Sequence, residues 1–307
     1  MANRSIQAQN PGIGSLHRLP ENSNGDNLPA MDTPDIYFAR IGYTGPRTPT
    51  LDVLKEICAK HPAAIVFENI DPFLGRTPVL SPAALHEKLV VNGRGGYCFE
   101  QNALLRDVLV TLGMTVTALA ARVVWMAPPD MPARPRTHML LKAEVGDAPG
   151  QSFIVDAGFG GQLFNVPLLL VPGLEQDTPT GPMRIVAEAG MHAVEALTPQ
   201  GWSPLYRFGL DPCLPVDYEP LNWFTATHPS SIFRNNLLIQ TVTSRGRTGL
   251  INDRLMTSTG QTRRIEDAQA YEAVLRQEFN LALPVPAGEL FARIPKGLDG
   301  IAAPGRD

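Results

Sequence analysis

The hydrophobic residues of this chain change period near residue 114, and no other feature constrains its fold as strongly. From Thr50 the string LDVLKEICAKH sets Leu51, Leu54, Ile57 and Cys58 at i, i+3, i+6 and i+7, the spacing of an amphipathic helix. Ser81 followed by Pro82 supplies a helix cap and a proline at the first helical position. A third helix follows the glycines at 93–96, with Leu104, Leu105, Val108, Leu109 and Leu112 on one face and Gly113 as its stop. Residues 115–125 are then β-branched and apolar, and 137–145 alternate. Shorter runs follow at 152–155, 183–187, 192–197 and 202–208, with turn residues between them. Strands this short and this closely spaced point to an antiparallel barrel or sandwich. From Asn222 the signals mix: a Ser/Thr/His/Pro turn, a strand-like 237–243, a turn at Arg245-Gly246-Arg247, a helix over 265–279 and a loose Pro/Gly-rich tail from Ala287. The expectation is an α+β chain, with a helical bundle first and short strands after it.

Composition narrows the class. Twenty-nine prolines and 27 glycines among 307 residues rule out a mostly helical array. Lys plus Arg is 26 against 30 Asp plus Glu, a net charge of −4, which excludes a dedicated nucleic-acid binder. No apolar run approaches the ~18 residues of a spanning helix, so a soluble protein is expected. The cysteines, Cys58, Cys98 and Cys213, are odd in number, sparse and without a CxxC pair, so neither a disulfide framework nor a zinc site is expected. The first 31 residues, polar and lacking the apolar core of a signal peptide, read as a disordered or loosely attached extension, which makes the cytoplasm the expected compartment.

Three segments carry chemistry. In RGGYCFEQN (94–102) two glycines release the backbone into a tight turn and Cys98 lands in the first turn of the following helix. There the free N–H groups and the positive end of the dipole favour a thiolate. A small buried cysteine packing the helix start is the plain alternative. THMLL (137–141) and VDAGFGG (155–161) flank the turn GDAPG at 146–150, and the midpoint of 138 and 156 is 147. A hairpin there sets His138 and Asp156 opposite one another to within a residue or two, close enough for the carboxylate to fix the imidazole tautomer. A cross-strand pair that merely decorates the sheet is the alternative. Cysteine, histidine and aspartate together make a nucleophile, its base and the base's orienter, the requirement of nucleophilic acyl chemistry. The glycine-rich 157–161 loop leaves backbone open to a substrate. The residues alone lead to cysteine-dependent acyl transfer or hydrolysis. A ligand-binding relic and a metal site of the same three residues are the remaining alternatives.

At these motifs the chain resembles the arylamine N-acetyltransferases. RGGYCFEQN, THMLL and VDAGFGG match that family's cysteine, histidine and aspartate segments. AIVFENID (64–71), NWFTATHPSS (222–231) and YFARIG (37–42) agree as well. The resemblance covers about residues 34–280. It implies a helical bundle (32–114), an antiparallel β-barrel (115–221) and an α/β lid (222–307) around a cysteine-protease-like core, with 1–31 outside. It implies ping-pong transfer of acetyl from acetyl-CoA, the co-substrate, to Cys98 and then to an arylamine, arylhydrazine or arylhydroxylamine nitrogen. His138 would be the base and Asp156 its orienter, with no metal. Phe67, Val123 and Phe159 would wall the acceptor pocket, and Thr137 and Gly160 would meet the acceptor or the pantetheine arm. The partners implied are the two small molecules, with neither nucleic acid nor membrane; a homodimer is compatible. Arg234, Arg245 and Arg247 are candidates for the coenzyme phosphates, although solvated surface charge is the plainer reading of each. Glu100 is expected to pair with Arg94 and hold the turn, and His228 to serve a cap or turn.

Overall fold

The computed structural model describes residues 34–128, 132–243 and 246–295. The described residues all belong to one compact unit, 31–307. The extension expected at 1–31 lies outside them.

Helices come first. They are α1 (Pro34–Ile41), α2 (Leu51–Ala64), the strand β1 (Phe67–Glu68), α3 (Ile70–Phe73), α4 (Pro82–Leu85) and α5 (Cys98–Thr111). Thr50 caps α2 through the Val53 N–H, and Ser81 caps α4 through the Ala84 N–H, as their side chains predict. α4 does not run on as expected: it passes into a π-helical turn over His86–Val91. Leu54, Ile57, Leu104, Leu105, Val108 and Leu109 meet in one buried cluster, so the apolar faces read from the sequence are the bundle core. The sequence signal missed α1, whose Tyr37, Phe38 and Ile41 are buried in that same cluster.

The strands that follow are β2 (Thr115–Val123), β3 (His138–Glu144), β4 (Phe153–Val155), β5 (Leu168–Leu169), β6 (Glu175–Gln176), β7 (Met183–Glu188), β8 (Met191–Thr198) and β9 (Gly201–Phe208). They form an antiparallel sheet of order β5-β4-β3-β2-β9-β8-β7-β6 that rolls into a nearly closed barrel, deciding between barrel and sandwich. At the seam the Gln176 side chain takes the place of a ladder: it accepts from the Leu169 N–H at 2.8 Å and donates to the Leu169 carbonyl at 3.0 Å. Alternation along β2 divides its faces: Leu119 and Ala121 enter the barrel core, while Ala118 and Ala120 meet the helical cluster. The small alanines let α5 approach the sheet closely.

After β9 come α6 (Pro215–Thr227), α7 (Ile232–Asn235), β10 (Leu238–Thr243), β11 (Gly246–Ile251), β12 (Arg254–Met256), β13 (Thr262–Arg264), α8 (Ala268–Phe279) and α9 (Ala287–Arg293). The second sheet runs β1-β10-β11-β12-β13, so the two residues of β1 are built into it. Two expectations are corrected here. α8 begins at Ala268 rather than 265, where the Asp267 side chain caps it through the Ala270 N–H. The start of the tail, Ala287–Arg293, is helical, not loose, because Ala287, Leu290 and Ile294 bury in the cluster shared with α8 and the second sheet, while 296–307 lie outside the described residues.

Candidate active site

Cys98 is the first residue of α5 and is 3% exposed. The glycines before it serve close approach: a Cβ on Gly95 would collide with the Val66 carbonyl, and β1 bridges to Gly96. His138 opens β3, beside Ala121 of β2, and Asp156 follows β4 directly. β3 and β4 pair Leu141 with Val155, which sets Asp156 opposite Leu140, two residues from His138. That offset is within the hairpin expectation, and the side chains bridge it: His138 Nε2 lies 2.6 Å from Asp156 Oδ2. The Cys98 side chain is a further neighbour of the ring, close enough to act on its protonation.

Burial disfavours the imidazolium, but the charge and hydrogen bond of Asp156, aided by the Cys98 sulfur, overcome it and raise the His138 pKa to about 10. The ring is therefore cationic at neutral pH, poised beside a sulfur. The thiol also reaches the Thr137 carbonyl at 3.6 Å, so Thr137 meets the cysteine through its backbone.

Asn102, one turn along α5 from Cys98, joins the three elements. Its Nδ2 donates to Asp156 Oδ1 (3.0 Å) and to the Met139 carbonyl (2.7 Å), and its Oδ1 accepts from the Ala157 N–H (3.0 Å). Asp156 Oδ1 also accepts from the Gly158 N–H at 2.8 Å. The glycine loop presses on the nucleophile: a Cβ on Gly158 would stand 2.5 Å from Cys98 Cα, and one on Gly160 2.7 Å from Phe67 Cζ. Only glycine permits either approach.

Aromatic rings line this point. Phe159 meets His138 edge-on at 5.3 Å, and Tyr206 of β9 lies 4.8 Å from it. The Tyr206 hydroxyl stands close enough to feel the Asp156 charge without forming a well-aligned hydrogen bond. Phe67 packs on Gly160 and faces Phe233 of α7 at 6.0 Å. Val123 is half-buried, pairs with Tyr206 across the β2–β9 ladder and packs against the cluster that contains Tyr206 and Phe159. Thr137, Phe67, Phe159 and Gly160 are thus drawn together, with Val123 one residue removed. Tyr206, Asn102 and Phe233 had no role in the sequence reading. Asn102 sits at i+4 from Cys98, a spacing that could have flagged it.

Behind the nucleophile turn lies a buried charge network. Arg94 binds Glu68 through two nitrogens (2.9 and 2.7 Å) and Asp71 at 3.2 Å, and Lys88 bridges Asp71 (2.5 Å) and Glu100 (2.7 Å). Glu100 Oε2 accepts from the Tyr97 N–H at 3.2 Å. Glu100 therefore holds the turn, as expected, but its ionic partner is Lys88 and not Arg94, which the two acids beside β1 have taken. His228 ends α6 and accepts from the Ser230 N–H, the turn role expected of it.

The arginines suggested for phosphate separate. Arg234 is exposed and donates to the Thr227 carbonyl. Arg245 lies outside the described residues. Arg247 is half-buried and donates to the Gly161 carbonyl, at the outer end of the glycine loop. Among the described residues no group of three or more His, Cys, Asp or Glu side chains is arranged to hold a metal, and no helix is long and apolar enough to cross a membrane.

Known proteins share this arrangement of elements. A family model described as N-acetyltransferase matches residues 50–287. The arylamine N-acetyltransferase of Mycobacterium tuberculosis is 39% identical over 273 residues, 84% of this chain and 96% of its own. That of Escherichia coli is 36% identical over 80% of this chain and 88% of its own. The structure of the Mycobacterium marinum arylamine N-acetyltransferase in complex with CoA superposes with a TM-score of 0.81 at 37% identity, covering 85% of this chain and 98% of that one. The match spans the helices, the barrel and the second sheet together, and on this evidence the chain belongs to the arylamine N-acetyltransferase family.

Proposed function

We propose that Cys98, His138 and Asp156 carry the family's reaction in this chain, the acetyl-CoA-dependent N-acetylation of arylamines. One observation carries the assignment of roles: a buried histidine held at 2.6 Å by a carboxylate, with a helix-start cysteine close enough to raise its pKa further. The imidazolium stabilises the anionic form of the sulfur, so little proton transfer precedes attack. The sulfur adds to the thioester carbonyl of acetyl-CoA, the His138 imidazolium gives its proton to the departing coenzyme sulfur, coenzyme A leaves as the thiol, and Cys98 holds the acetyl group beside a now neutral His138. An arylamine then attacks the enzyme thioester. His138 takes the amine proton as the nitrogen–carbon bond forms, and the Cys98 sulfur leaves. Arylamines suit this step because they are uncharged near pH 7 and keep a free lone pair.

Burial favours transfer over hydrolysis. Cys98, His138 and Asp156 are all 3% exposed or less, so bulk water has little access once a ring fills the site. Phe67 and Phe159 wall the acceptor ring, with Val123 behind Tyr206. Gly160 and the Thr137 backbone border the reacting carbon. The helical segment 32–114 brings the nucleophile, 115–221 brings base and orienter, and 222–307 contributes Phe233, which faces Phe67. A reducing compartment such as the cytoplasm suits the three free cysteines.

The test uses acetyl-CoA with no acceptor, an acid quench, and intact and peptide mass spectra. The expected result is one acetyl group on Cys98, discharged when aniline is added. An adduct lost to water and indifferent to the amine makes the protein a hydrolase.

A further inference from the structure

Most cations set into the described surface of this protein face a carboxylate. Lys88 and Arg94 do so beside the nucleophile, and Arg106 and Arg184 elsewhere. Arg40 and Arg247 are the exceptions whose pKa burial lowers with no carboxylate to offset it. Arg40 has an evident structural duty, since it donates to the Leu89 carbonyl at the end of the π-helical turn, where carbonyl charge accumulates. Among the described residues Arg247 has only the Gly161 carbonyl, in the loop that presses on Cys98.

Its place in the fold is fixed. Arg247 pairs with Val242 across the β10–β11 ladder, and Val242 is fully buried in the apolar cluster that contains Phe159 and Leu163. The hairpin end thus docks on the barrel beside the glycine loop. Neighbouring loop residues face opposite tasks: Gly160 packs on the Phe67 ring, and the Gly161 carbonyl meets the guanidinium. Gly158 touches Cys98, and three extended residues span at most ~10 Å, so the cation stands within a pantetheine arm's reach of the sulfur. An uncharged arylamine has no use for a cation there. An acyl-CoA brings phosphates on a flexible arm, and a half-buried guanidinium is a strong, geometrically selective phosphate donor.

We propose that Arg247 receives the phosphate charge of the acetyl-CoA donor and so aligns its thioester on Cys98; Arg234, exposed and occupied by the Thr227 carbonyl, does not. This rests on the acyl-transfer reading above. The test compares wild type, Arg247→Gln and Arg247→Lys in the first half-reaction, with thermal midpoints measured alongside. Single-turnover acetylation of Cys98 is followed with acetyl-CoA and with S-acetyl-N-acetylcysteamine, a thioester without phosphates. The ratio of the two second-order rate constants is expected to fall about 10- to 100-fold in Arg247→Gln, the size of a lost charge-assisted hydrogen bond, and to recover in part in Arg247→Lys. A ratio that does not change overturns the proposal: either both donors slow together, because Arg247 only shapes the loop, or neither does, because the phosphates bind elsewhere. A loss confined to acetyl transfer onto 4-aminobenzoate and absent with aniline also overturns it, by assigning the cation to a carboxylated acceptor. Wild-type protein acetylated by neither thioester overturns the acyl-transfer reading and this inference together.

Discussion

Among the described residues two histidines lie in the core, and they are driven in opposite directions. His61 is fully buried between the Tyr37 hydroxyl and the Gln101 amide oxygen, each at 2.7 Å, and its pKa falls to about 4. His138 is 2% exposed, and its pKa rises to about 10. Burial acts against the cation in both, so burial alone does not make a histidine functional. The difference is the partner: burial dominates at His61, where the Gln101 amide oxygen offsets it only in part and the Arg40 charge adds to it, whereas Asp156 brings both a negative charge and a hydrogen bond. Gln101 and Asn102 are neighbours on α5, yet one locks a neutral core histidine and the other orients the carboxylate that raises the pKa of His138.

The sharpest way to break the contrast is to make His138 resemble His61. Asp156→Asn keeps the shape and removes the charge; kcat/KM for acetyl transfer is expected to fall by about 10³–10⁴, as for other triads whose orienting carboxylate is made neutral. Retained far-ultraviolet circular dichroism with this loss supports the assignment, and activity within tenfold of wild type opposes it. A smaller effect is expected at Glu100, where burial raises the carboxyl pKa and Lys88 draws it back only in part. Lys88→Met strands that carboxylate and is expected to cost about 3–5 kcal/mol of unfolding free energy, read by urea titration at pH 7.

The pH dependence of stability should show both histidines. His61 has a folded pKa below its unfolded value, so its contribution is whole above pH 6.5 and is lost as pH falls towards about 4. The loss is expected to reach roughly 3 kcal/mol, and His61→Gln should flatten that acid limb. His138 has a raised folded pKa, so its contribution is whole below 6.5 and is lost as pH rises through about 10. Urea midpoints between pH 4 and 10 test both limbs. The smallest effect is expected from Tyr206→Phe. The ring contact to His138 survives and only a poorly aligned hydroxyl is lost, so kcat/KM should drop by less than about tenfold. A larger drop would give the hydroxyl a direct part in charging Asp156.

The contrast also explains what was legible beforehand. Cys98, His138 and Asp156 could be read because local rules place them: glycines and a helix start fix the first, and a short hairpin brings the other two within reach. His61 showed only a position on an amphipathic helix, and its partners come from residues 24 and 40 positions away. The missed helices share that cause. α6 carries Pro220 inside it and α9 follows a proline, and both are held by burial of Tyr218, Ala226 and Leu290 more than by local propensity. Glu100 is mispaired from sequence because Arg94 is the nearer cation along the chain, whereas the fold brings up Lys88 from 12 residues away. Similarly, Arg234 and Arg247 looked alike until the fold left one exposed and set the other against the glycine loop.

The central claim is that His138 is a cation at working pH because Asp156 holds it there. The direct measurement is an NMR titration of protein labelled with ¹⁵N in the imidazole rings of its six histidines, with His61→Gln and His138→Asn variants for assignment. The account predicts that the His138 ring stays protonated from pH 6 to 9 and titrates near 10, while His61 stays neutral throughout. A neutral His138 at pH 7, with ring nitrogen shifts like those of His61, would contradict it.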